Sequence, residues 1–154
     1  MKTSMIAFIT ALLCFSIAED ALALNPIEKA ESMTYKEKLL VAKTSYPFTR
    51  WRKSFRHGLK QYTKDNCEKS KQVFDDFIGG LIAIGEHAPK EEKIKLFKTA
   101  ILSLNDLNNK VPGLIETGER EELCALIDRI TVAAGLDPKE FAGGEGIADE
   151  WREG

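Results

Sequence analysis

The stretch "RWRKSFRH" at residues 50–57 crowds four Lys/Arg side chains and a histidine around two aromatic rings. Such cations can grip an anionic group by charge and by charge-assisted hydrogen bonds. Phe48, Trp51, Phe55, Leu59 and Tyr62 recur at spacings of three and four, which lines them along one helical face. Arg50, Arg52, Lys53, Arg56 and Lys60 then fall on the flanks and the far side. The rings are expected in the core. The five cations are expected on a surface that can meet an acidic protein or another anionic partner.

The net charge of −2 hides an uneven distribution. Residues 36–71 hold eleven Lys/Arg against three Asp/Glu, whereas residues 115–154 hold four against eleven. This separation implies two charged faces or two halves that attract each other, and a near-balanced total gives no support for a nucleic-acid partner. The acidic end closes with "IADEWRE", in which Ile147 and Trp151 would share one face of a helical turn beside Asp149 and Glu150. Trp151 is read either as docking on the body of the protein or as anchoring a partner, since tryptophan is enriched at binding hot spots. A third arrangement lays this acidic tail across the basic face of residues 50–60.

Little else in the chain has the spacing of a catalytic or metal-binding site. His57 and His87 lie in no zinc-protease pattern and have no nearby ligands, so no metal site is expected. No Gly-x-Ser-x-Gly elbow occurs, and no Cys-x-x-Cys-His, so neither a serine nucleophile nor covalent haem is indicated; no cofactor is expected. Carboxylate pairs at Asp75/Asp76, Glu145/Asp149 and Asp149/Glu153 could in principle serve a hydrolase, but solvated helices produce such pairs constantly. "GGEG" at 143–146 has neither the preceding strand nor the lysine of a phosphate loop. Cys67 and Cys124 are a candidate disulfide, worth about 4 kcal/mol of loop-closure entropy if unstrained, with two buried thiols as the alternative.

The elements that must position these groups read as helices. Thr34 and Glu37 form a capping-box pair opening a segment to about residue 43, and Pro47 breaks it. Apolar stripes follow at Phe48–Tyr62, at Phe74, Phe77, Ile78, Leu81 and Ile82, at Ile94, Phe97, Ile101, Leu104 and Leu107, and at Leu123, Ile127, Ile130 and Ala134. "DNCE" at 65–68 fits the start of the second. Gly79 and Gly80 inside it suggest a kink or a close helix–helix approach, and Gly85 suggests its end. Asn25 and Pro26 fit a short first helix. The expected fold is all-α: a compact bundle of four main helices with short N- and C-terminal helical segments, because each stripe can be buried only against another.

Residues 1–23 are expected to be a secretory signal peptide, with Lys2, an apolar run from Met5 to Ile17 and a small-x-small site at Ala21–Ala23. The run is short for a membrane span, so no stable span is expected after cleavage. Residues 24–138 then form the bundle and residues 139–154 a Gly-rich acidic segment. Together these features point to a small exported protein, periplasmic or secreted, that acts by binding in an inhibitor- or immunity-like role. A small-molecule or metal carrier within the bundle and a carboxylate-dependent hydrolase are the alternatives.

Overall fold

Thr34 caps the first described helix by the expected reciprocal pair. Its Oγ1 accepts from the Glu37 amide at 3.3 Å, and Glu37 Oε2 accepts from the Thr34 amide at 2.8 Å. The computed structural model describes residues 33–153, so the expected leader and the short helix expected from Asn25 and Pro26 lie outside the described residues. Five α-helices follow in order: α1 (Tyr35–Ala42), α2 (Phe48–Ser54), α3 (Lys64–Ile84), α4 (Lys90–Lys110) and α5 (Thr117–Ala133). Short 3-10 turns extend α1 and α2 and make up most of the tail. The all-α expectation holds: the described residues contain no strand, and none of their helices is long and apolar enough to cross a membrane.

Local chemistry sets the boundaries. Pro47 lacks the amide needed to continue a helix and instead precedes α2. Thr63 caps α3, its Oγ1 accepting from Asn66 N at 3.1 Å, so Asp65 sits inside the first turn and is not the cap read from "DNCE". Gly85 ends α3 at φ 86°, a value costly for any residue with a Cβ. Gly80 serves the close approach of α4, because a Cβ there would stand 3.1 Å from Leu96 Cδ2.

The expected stripes largely form the core. Phe74, Phe77, Ile78 and Leu81 of α3 face Phe97, Ala100, Ile101 and Leu104 of α4, with the Phe77 and Phe97 rings edge-on at 4.6 Å. Leu123, Leu126, Ile127 and Ile130 of α5 complete the core, and α1 packs against both α3 and α5. The 48–62 stripe departs from expectation. Helix α2 stops at Ser54 and passes through a 3-10 turn to Gly58 at φ 101°. Phe48, Trp51 and Tyr62 are buried, Phe55 is half-buried, and Leu59 is 45 % exposed. The helical period that would have carried Leu59 inward ends at Gly58, which redirects the chain.

Candidate anion-binding groove

Helix α2 is held by its rings. Phe48 stacks edge-on with Trp51 at 5.2 Å and lies 5.7 Å from Phe74 of α3. Trp51 also contacts Tyr62 at 5.7 Å, and its Nε1 donates to Glu122 Oε2 of α5 at 2.9 Å. Arg50 forms an ion pair with the other Glu122 oxygen. Burial alone would raise the Glu122 pKa, but the hydrogen bonds from Arg50 and Trp51 outweigh it and hold the carboxyl below its ordinary range. Arg50 therefore helps fasten α2 to α5, with less freedom to contact a partner.

The opposite edge of α2 and of its 3-10 extension forms one wall of a groove of about 470 Å³, and α3 forms the other. Thr49, Arg52, Lys53 and Arg56 line the first wall and Lys64, Glu68 and Lys71 the second; the buried Phe48 and Cys67 make the floor. The volume falls within the range of ordinary ligand sites. Five cations and one carboxylate line it.

Glu68 pairs with Lys64 at 3.7 Å, and Lys71 pairs with Asp75, which also accepts from Lys43 at 2.7 Å and Tyr46 at 3.2 Å. Arg52, Lys53 and Arg56 have no carboxylate partner among the described residues. The Arg52 guanidinium lies 4.8 Å from the Phe55 ring centre, with Lys60 Nζ at 4.9 Å from the same ring, a cation–π arrangement that orders both without neutralising them. Lys60 thus flanks Arg52 without lining the groove.

Three of the groove's five cations, Arg52, Lys53 and Arg56, were legible in the sequence; Lys64, Lys71 and the floor were not assigned to it. Their signal was present: Lys64, Cys67, Glu68 and Lys71 follow the i, i+3, i+4, i+7 spacing of one helical face, inside the basic block already noted.

Cys67 and Cys124 are free thiols, contrary to the expected disulfide. They face different clefts: Cys67 the α2–α3 groove, and Cys124 a space of about 40 Å³ between α4, α5 and the tail. Burial raises the pKa of both, so each is a protonated, weakly nucleophilic thiol at neutral pH. The cleft at Cys124 has room for at most a few waters, too little for a carried ligand.

The tail does not lie across residues 50–60. It docks on α4 and α5, burying Phe141, Ile147 and Ala148. Asp149 accepts from the Arg152 side chain through Nε at 2.6 Å, and Glu150 Oε1 accepts from the Ala142 amide at 2.6 Å, so both carboxylates are engaged within the tail. Trp151 is half-buried, its carbonyl accepting from Asn105 Nδ2 at 2.8 Å and Lys98 lying 5.8 Å from its ring. Glu145 is exposed and Asp149 ion-paired, while Asp75 accepts from Lys43, Lys71 and Tyr46; none of these carboxylates stands out as a general acid or base. His57 and His87 are both exposed. Among the described residues no group of three or more His, Cys, Asp or Glu side chains could hold a metal ion.

Comparison with known proteins finds no matching family model, no matching curated protein and no matching solved structure.

Proposed function

We propose that this protein is a binding module that takes an anionic partner into the α2–α3 groove through Arg52, Lys53, Arg56, Lys64 and Lys71. The observation that carries this reading is the excess of cations around one concave surface, three of them without carboxylate partners among the described residues. Clefts lined by one sign of charge raise the local concentration of the opposite sign and speed encounter. The leader pattern at residues 1–23 supports a site of action outside the cytoplasm, where an inhibitor- or immunity-like role fits a small helical binder.

The test compares poly-L-glutamate binding by the chain and by two variants of equal net charge. One carries Arg52→Gln, Lys53→Gln and Arg56→Gln; the other carries Lys36→Gln, Lys95→Gln and Lys110→Gln, all exposed and none lining the groove. At roughly 0.5 kcal/mol for each exposed charge, the groove variant should bind about tenfold more weakly than the control variant. Equal weakening in both would reduce the effect to bulk charge and end the groove assignment.

A further inference from the structure

The groove's shape and chemistry restrict its occupant further, given the binding reading above. Its cations stand on both rims and are spread along it: Arg52 to Arg56 covers about 6–7 Å of the first wall, and Lys64 to Lys71 about 10 Å of the second. A single anionic head group could satisfy one or two of them at once. A chain of phosphates could reach all five but would leave the Phe48 and Cys67 floor facing a strongly hydrated polymer. The cation-bearing rims and apolar floor call for several separated negative charges around at least one apolar side chain.

We infer that the occupant is an acidic segment of a partner protein, four or five residues long in extended form, with Asp or Glu on both sides of an apolar anchor that sits over Phe48 and Cys67. The length follows from a rise of about 3.3 Å per residue in extended chain set against the groove. The single lining carboxylate, Glu68, is outnumbered five to one by the groove's cations.

Calorimetric titration of the full chain separates this inference from the reading beneath it. The probes are a glycine-flanked Asp-Glu-Leu-Glu-Asp peptide, the same peptide with serine for leucine, inorganic polyphosphate, and vesicles of phosphatidylglycerol in phosphatidylcholine. Poly-L-glutamate provides the reference anion. The leucine peptide should bind at least about tenfold more tightly than the serine peptide, reflecting burial of one aliphatic side chain. Cys67→Ser, which keeps every cation and makes the floor polar, should narrow that gap, and Arg52→Gln with Arg56→Gln should weaken both peptides.

Equal binding of the two peptides, or tighter binding of polyphosphate, would overturn the acidic-segment inference while leaving a basic binding groove. Preference for the vesicles would overturn it in favour of a lipid surface. If a folded chain, verified by circular dichroism, binds none of the anions, the groove reading and the inference both fall.

Discussion

Lys93 is 5 % exposed in the first turns of α4, yet it serves the end of another helix. Its Nζ donates to the Ala134 carbonyl at 2.8 Å, at the C-terminus of α5, and to the Glu86 carbonyl at 2.6 Å in the α3–α4 connection. A cation is well placed against the exposed carbonyls of a helix C-terminus. It also lies 5.4 Å from the Tyr35 ring of α1, so one ammonium joins α1, the α3–α4 connection and α5.

Lys93→Met keeps the apolar stem and removes the ammonium. Glu86 is exposed, so water can replace the bond to its carbonyl, but Ala134 is fully buried and its carbonyl loses this donor. A stranded buried acceptor costs about 1–3 kcal/mol, and the lost cation–π contact adds about 0.5–1 kcal/mol. Relief of the buried ammonium's desolvation opposes both. The expected net loss is about 2 kcal/mol, read as a lower urea midpoint with unchanged slope in circular dichroism. Lys93→Ala should lose more, because it also empties the space of the stem. If Lys93→Met falls within about 0.5 kcal/mol of the parent chain, desolvation balances the bonds and this argument for Lys93 fails.

Two further outcomes concern other contacts. Asp75 and Glu122 both have carboxyl pKa values held below their ordinary 3.8 and 4.5: burial pushes each upward, but Lys43 and Lys71 around Asp75, and Arg50 and Trp51 around Glu122, pull harder in the other direction. Their contribution is present above those unfolded values and is lost as pH falls through the lower folded ones. Asp128, raised by burial and by Asp149, acts in the opposite sense. Asp75→Asn with Glu122→Gln should therefore flatten the loss of stability below about pH 4.5 in urea melts across pH; an unchanged acid limb would deny the two clusters that role. Ile147, fully buried in the tail, should cost about 2–3 kcal/mol when replaced by alanine and speed proteolysis at Gly143 and Gly144. A loss below about 0.5 kcal/mol would show that the docked tail contributes little to the core.

The sequence by itself determined which segments are helical and most of what they bury. Helical periodicity is a local property, and Thr34, Pro47 and Gly85 act through their own backbone chemistry, so the capping box, the break before α2 and the end of α3 were all legible. Leu59 was misplaced because one glycine in a left-handed conformation ends the period early.

Tertiary structure decided which like residues become different. Arg50 and Arg52 are two positions apart in one basic run, but the approach of α5 gives Glu122 to Arg50, while Arg52 stays on the groove wall. The rotation of α3 against α2 brings Lys64, Lys71 and Cys67 to that groove, and the same arrangement leaves Cys124 in another cleft. Asp149 and Glu150 found donors in the tail itself, and Glu140 and Glu153 found theirs on α4, all away from the basic face. Periodicity states which side of a helix is apolar; which neighbour its polar edges meet depends on helix rotation and crossing, fixed only when all the apolar faces are buried together.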